Sequence, residues 1–210
     1  MSKASVLLAG AGGHARVCID VIEQEGRFAV AGLVGLPQEV GTRVLGYVVL
    51  GADSDLPALL GEYDHALVTV GQISTPKLRM HLFGQLERRG SAMPVIVSPW
   101  AYVSPHATVG AGSFVMHGAV VNAGAVVGRN CIVNSQSLVE HDVVIGDHCH
   151  IATSAVVNGG VRIGAGSFIG SGSTLRQSID IGERCVIGMG QSVFADCGDG
   201  TRIPPARTPS

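Results

Sequence analysis

The chain has 210 residues, enough for one large domain or two small ones, and its 46% hydrophobic and 14% charged content builds a core and excludes a disordered chain. A net charge of −2 with a pI near 6.4 offers no basic cluster for nucleic acid or an anionic membrane surface. No apolar run approaches the roughly 18 residues of a membrane span.

The first residues, Met1 to Gly10, have the outline of a signal peptide, but the apolar stretch is short and runs directly into Gly10-Ala11-Gly12-Gly13-His14. A strand, a glycine turn and a helix account for it better, and the expected location is cytoplasmic. Ser5–Ala9 is a compact apolar run suited to a buried parallel strand. Val17, Cys18, Val21 and Ile22 then recur at helical spacing. Phe28–Val34, Tyr47–Leu50 and Ala66–Val70 read as further strands. Pro76 stands at a helix start, with Leu78, Leu82 and Leu86 following at intervals of four and an end near Gly90. Strand–helix alternation of this kind predicts a small α/β, Rossmann-like domain over residues 1–96. Its turn fits G-x-G-x-x-A at Gly10, Gly12 and Ala15, where a helix N-terminus offers unpaired N–H groups to a phosphate.

From Val97 the pattern changes. An aliphatic residue occupies every sixth position through Val103, Val109, Val115, Val121, Val127, Val133, Val139, Ile145, Ile151, Val157, Ile163, Ile169, Leu175, Ile181, Ile187 and Val193. A recurrence of six is no α-helical period; it predicts a β-solenoid over residues 97–210, with three hexapeptides per triangular coil. The aliphatic points inward, a small residue four positions on fills the interior, and glycine or another small residue allows each corner. Cys131, Cys149 and Cys185 differ by multiples of 18, so they stack inside the coil as small buried hydrophobes. Five cysteines without a Cys-x-x-Cys pair argue against a disulfide framework or a zinc knot.

His141 takes the third place of its hexapeptide, outside the inward slot, between Glu140 and Asp142. Carboxylates beside an imidazole orient it and favour its taking up a proton, although residue types alone fit an ordinary surface histidine equally well. His150 also lies outside the inward slot.

The hexapeptide run, with Asn134-Ser135, Val139-Glu140-His141-Asp142 through Asp147, His150 and Asn158-Gly159-Gly160-Val161, resembles the sialic-acid O-acetyltransferase-like family of sugar acyltransferases. Its nearest members are N-acetyltransferases of nucleotide-linked 4-amino-4,6-dideoxy sugars, such as the UDP-N-acetylbacillosamine N-acetyltransferases. The resemblance covers nearly the whole chain. It implies a left-handed parallel β-helix, a homotrimer, and transfer of an acetyl group from acetyl-CoA to the amine of a UDP-linked sugar, with no metal. His141 would be the general base, Asp142 its orienter and the Gly159 backbone N–H the oxyanion donor. His150 would lie at the thioester end of acetyl-CoA, with Ser171 and Met189 along its chain. Gly12, Gly13, His14, Gly71 and Asn134 would contact the sugar nucleotide.

Two departures stand out. Relatives carry aspartates just after the second strand, where this chain reads Leu33-Val34-Gly35-Leu36, and they end in Gly-x-Pro-Ala-Arg/Lys where this chain has Ile203-Pro204-Pro205-Ala206-Arg207. Two other activities use the same scaffold: O-acetylation of a sugar or sialic acid, and a metal-dependent lyase of the γ-carbonic-anhydrase kind. His106, His117, His141, His148 and His150 keep the lyase open, but no pair among them is separated by the multiple of 18 that stacking requires.

Overall fold

A computed structural model describes residues 3–206; Met1, Ser2 and the Arg207 of the C-terminal turn lie outside the described residues. The chain divides into two units: the residues up to Gly71 with Lys77–Ser98, and Gln72–Pro76 with the residues from Pro99 onward.

The first unit is a five-stranded sheet in the order β3-β4-β2-β1-β5, formed by β1 (Ala4–Ala9), β2 (Phe28–Gly35), β3 (Arg43–Val44), β4 (Tyr47–Ala52) and β5 (His65–Val68). All pairings are parallel except that of β3 with β4. Val6, Leu7, Leu8 and Ala9 are all fully buried, as expected of a strand covered on both faces. Helix α1 (Gly13–Glu25) buries Ala15, Cys18, Ile19, Val21 and Ile22. Val17, read from the sequence as part of that stripe, is exposed; Ile19 takes its place. A one-turn helix α2 (Leu56–Leu59) and helix α3 (Lys77–Arg88) cover Leu7, Ala9, Val34, Ala66 and Val68 with Leu56, Leu82, Phe83 and Leu86. Leu78 is exposed, so the α3 stripe is carried by Leu82, Phe83 and Leu86.

The second unit is the solenoid, a left-handed parallel β-helix. Two-residue strands stack in register 18 residues apart, as in Val120↔Leu138, Val126↔Val144 and Ile132↔His150. The first face runs from Tyr102–Val103 to Ser192–Val193, the second from Thr108–Val109 to Asp180–Ile181, and the third reaches Arg202–Ile203 through Ile132–Val133 and His150–Ile151. From Val115 to Val193 every sixth-position aliphatic is buried, while Val103 and Val109 are half-buried. The cysteines lie inside and do more than fill space. In the column Ser113, Cys131, Cys149, Ser167, Cys185, each side chain donates to a glycine carbonyl of the following coil: Ser113 Oγ to Gly128 O at 2.8 Å, Cys131 Sγ to Gly146 O and Cys149 Sγ to Gly164 O at 3.2 Å.

The corners correct the sequence reading. Every sixth residue from Gly112 to Gly190 has a φ between 52° and 76°. Half of these are not glycine, and they include Asp142, His148 and Arg184; smallness is therefore not what the corner demands. A non-glycine residue in this region costs roughly 1–2 kcal/mol, which the register of the coils above and below sustains. The glycines that directly follow the inward aliphatic serve another purpose. Every corner after the second face has one (Gly110, Gly128, Gly146, Gly164, Gly182), and none of these has a positive φ. A Cβ on Gly146 would lie 2.8 Å from Ala165 N and 3.2 Å from Gly164 C in the next coil. Here glycine permits close backbone approach.

Gly146→Ala is therefore expected to destabilise the protein by about 1–3 kcal/mol through overpacking. Gly172→Ala, with φ 66° but open space around its Cβ, costs only about 1 kcal/mol. Denaturant unfolding of the two variants checks the order; a larger loss at Gly172 contradicts it.

Candidate functional site

The corner between the first and second faces is polar. In its four middle coils the residues directly after the inward aliphatic are Asn122, Glu140, Asn158 and Arg176, in the places where the neighbouring corner has only glycine. Asn122 Nδ2 donates to Glu140 Oε2 at 3.0 Å, and Glu140 Oε2 also receives the His141 backbone N–H at 3.3 Å. Glu140 thus secures the turn and does not reach the imidazole. Asp142 does: with φ 59° its carboxylate turns back to His141 Nδ1, 2.9 Å from Oδ2.

A carboxylate only accepts, so Nδ1 carries a hydrogen, and in the neutral ring the lone pair is on Nε2. Directly above, one coil on, is Gly159. A Cβ there would lie 2.5 Å from His141 Nε2, so the ring occupies the space that glycine leaves. Gly159 opens a turn closed by Val161 N–H to Asn158 O at 3.4 Å, with φ 72° at Gly160. Its C=O accepts from Ser178 N–H at 3.0 Å, and its own N–H is at the second place of that turn, outside the hydrogen bond that closes it. His141 and Asp142 are exposed, and with Glu140, Asn158, Gly159, Gln177 and Ser178 the corner borders a hollow of about 320 Å³. A neutral imidazole nitrogen can take a proton, and a backbone N–H of such a turn can hold an oxyanion.

The third face and the corner after it hold a second group. His150, half of the strand His150–Ile151, is not the solvated histidine its outward place suggests; it is 7% exposed. Its Nδ1 lies 2.7 Å from the Gln72 carbonyl, its Nε2 lies 3.0 Å from Asn134 Nδ2, and Phe168 meets its ring edge-on. Gln72 belongs to the short segment Gln72–Pro76 that groups with the solenoid. Ser171 and Met189, one coil apart, line an apolar cavity of about 470 Å³ with Ile73, Phe168, Pro204 and Pro205. A Cβ on Gly188 would run into the Pro204–Pro205 backbone, so the departing C-terminal turn forms part of this wall. One copy of the chain therefore places His141, Asp142 and Gly159 on one edge of the coil, and Asn134, His150, Ser171 and Met189 on and beside the third face.

In the first unit, Gly12 caps α1 without a side-chain hydrogen bond, and nothing lies within 4 Å of a Cβ on Gly12 or Gly13. Gly71 packs on the His14 side chain, 3.4 Å from its Cβ to a Cβ built on Gly71. Gly10, Gly12 and Gly35 border a cavity of about 160 Å³ that also receives Glu39 and Asp53. Two acids thus border the same cavity as Gly35 and Leu36, although the sequence has none from Leu33 to Leu36. Glu39 lies three residues beyond Leu36 in the short 3₁₀ turn Pro37–Glu39, and its Oε2 accepts the Leu36 N–H at 2.7 Å; Asp53 directly follows β4. Burial, and then the charge of Glu39, raise the Asp53 carboxyl above the usual carboxylate range, with His81 opposing.

Of the other solenoid histidines, His117 packs at a tilt against Trp100 at 4.9 Å between centroids, and His148 Nδ1 lies 2.9 Å from Asn130 Nδ2. Among the described residues no group of three or more His, Cys, Asp or Glu is placed to hold a metal ion, and no helix is long and apolar enough to cross a membrane.

Comparison with known proteins agrees with this layout. The model of the PglD N-terminal domain matches residues 5–86, the bacterial transferase hexapeptide model matches 124–159 and 142–177, and the hexapeptide repeat of succinyl-transferase matches 160–195. No curated protein matches. Among solved structures, a histidine-to-asparagine variant of perosamine N-acetyltransferase from Caulobacter crescentus, in complex with CoA and GDP-perosamine, is 30% identical over 96% of this chain and 93% of that one, with a TM-score of 0.88. The acetyltransferase domain of PglB from Neisseria gonorrhoeae in complex with acetyl coenzyme A is 31% identical over 98% and 99%, with a TM-score of 0.86. WeeI from Acinetobacter baumannii, at 20% identity over 96% and 97% and a TM-score of 0.79, shares the fold.

Proposed function

This chain belongs to the PglD-type hexapeptide-repeat sugar acetyltransferases, and we propose that His141 is the general base with which it acetylates a nucleotide-linked 4-amino-4,6-dideoxy sugar. It is an acetyl-CoA-dependent acyltransferase, and its acceptor is the amine of a nucleotide-linked amino sugar. The observation that carries the assignment of the base is the 2.9 Å bond from His141 Nδ1 to Asp142, which puts the lone pair of the neutral ring on Nε2, beside Gly159.

The sugar nitrogen attacks the thioester carbonyl carbon and forms the C–N bond. His141 Nε2 takes the proton that the nitrogen loses, while the Gly159 N–H stabilises the developing oxyanion. Collapse of the tetrahedral species breaks the C–S bond, and the imidazolium returns the proton to the sulfur, giving the amide and free CoA. In this reading Ser171 and Met189 border the path of the CoA arm. The Gly12–Gly13 turn, with His14 and Gly71 beside it, receives the diphosphate, and Asn134 faces the acceptor.

His141 and the Asn134–His150 pair lie on either side of the first face, whose outward residues Val120, Leu138 and Val156 are half-buried aliphatics. A homotrimer, in which that face meets a neighbouring copy, brings one copy's His141 to another's Asn134 and His150. The UDP linkage expected from the resemblance stands beside the GDP-linked sugar bound by the Caulobacter relative.

Thiol release from acetyl-CoA with UDP-, GDP- and dTDP-linked amino sugars tests the function and selects the nucleotide. His141→Ala is expected to lower kcat by about 10²–10⁴-fold; turnover at the parent rate would remove His141 from the chemistry. Gly159→Ala displaces the imidazole and is expected to cost about 10²-fold in kcat. Co-expression of His141→Ala with Asn134→Ala chains should restore activity that neither variant has alone. Failure of rescue in a correctly assembled mixed oligomer would place the whole site in one copy.

A further inference from the structure

Two side chains of the second group of site residues and the main-chain carbonyl of Gln72 form one hydrogen-bonded chain whose polarity is fixed from both ends. At one end the acceptor is the Gln72 carbonyl, 2.7 Å from His150 Nδ1. A carbonyl cannot donate, so Nδ1 carries a hydrogen. At the other end Asn134 Oδ1 receives the Ser135 N–H at 2.8 Å. That bond sets the Asn134 amide, because the flipped amide would put two donors against each other. Asn134 Nδ2 must then be the group 3.0 Å from His150 Nε2. An amide nitrogen only donates, so Nε2 is the acceptor. Two independent constraints thus give the same answer: a neutral imidazole with its hydrogen on Nδ1 and its Nε2 lone pair occupied.

We propose that Gln72 is a positioning residue for acetyl transfer: its carbonyl locks His150 in the Nδ1–H tautomer, and His150 in turn aims the Asn134 amide at the substrate without exchanging a proton itself. Gln72 is suited to this role. It is 4% exposed, and its side-chain Nε2 donates to Gly166 O at 3.0 Å, which anchors the carbonyl-bearing segment to the coil. His150 is 7% exposed and its ring is fixed edge-on against Phe168. The one polar hydrogen the chain leaves for a ligand is the second N–H of Asn134, which is half-exposed. Its partner is a substrate oxygen, a carbonyl or a sugar hydroxyl. The two site histidines are thereby distinguished: His141 has an unoccupied basic nitrogen and His150 does not.

The inference rests on the acetyl-transfer reading for its consequence, but its central test needs no turnover. Nitrogen-15 NMR of the histidine-labelled full-length protein at neutral pH should show His150 as a single Nδ1–H tautomer. An Nε2–H tautomer, or an average of the two, overturns the proposal whether or not the protein transfers acetyl groups. Gln72→Ala, which frees the segment from Gly166, should lose that single-tautomer signature and about tenfold in kcat; retention of both rules out a positioning role. His150→Gln keeps an acceptor for Asn134 and should stay within about tenfold of the parent kcat. A loss of 10²–10⁴-fold, the usual size of a proton-transfer contribution, would instead make His150 an acid–base residue.

Discussion

The close stacking of one coil on the next constrains everything else in the second unit. Strands two residues long have little pairing to offer individually, and within the stack they hold because each is bonded to the coils above and below, 18 residues away until the final step to Arg202–Ile203. That offset requires the backbone at one corner to approach its successor more closely than a side chain permits, which is why the corner after the second face has glycine throughout. With one corner invariant, chemistry is confined to the other two. The register also aligns residues into columns: His141 lies under Gly159, Ser171 under Met189, and the Ser/Cys series donates to carbonyls that would otherwise be buried without partners.

Much of this was legible in the residues. The inward aliphatics fall at a period that only a solenoid explains, and the strand–turn–helix opening of the first unit follows from Ser5–Ala9, the glycines and the apolar positions after them. His141 and Asp142 could be singled out because they are adjacent, so local geometry brings them together. The reading was weaker wherever the effect comes from distant parts of the chain. Nothing near His150 in sequence announces that Gln72, 78 residues earlier, covers it. Glu39 and Asp53 reach the glycine turn from separate elements, so a search confined to the end of β2 misses them. A glycine just after the inward aliphatic suggests conformational freedom, whereas the left-handed residue falls two places later and is a non-glycine residue as often as glycine. A periodic sequence reports where side chains recur, not which backbone torsion each place needs.

The two histidines show how environment divides one residue type into two roles. Both face away from the coil interior, and both have a fixed tautomer. At His141 an exposed carboxylate fixes Nδ1 and leaves the other nitrogen beside an open hollow. At His150 a main-chain carbonyl does the same, while an amide closes the opposite side. On the proposed reading the exposed ring with an open second nitrogen serves as a base, and the buried ring with a capped one serves as a strut.

The stacking interval also acts as a ruler. Each coil advances the chain by about 4.8 Å, the spacing of neighbouring strands, and His150 is separated from Arg202 at the far wall of the apolar cavity by three such steps, through Phe168 and Val186. The reach available to an arm lying along this face is therefore quantised at roughly 14 Å. It cannot be trimmed by an ångström through side-chain change alone; adding or removing whole coils alters it in fixed increments. Selection on the length of a bound arm would thus be written as an 18-residue duplication or deletion rather than as a point substitution.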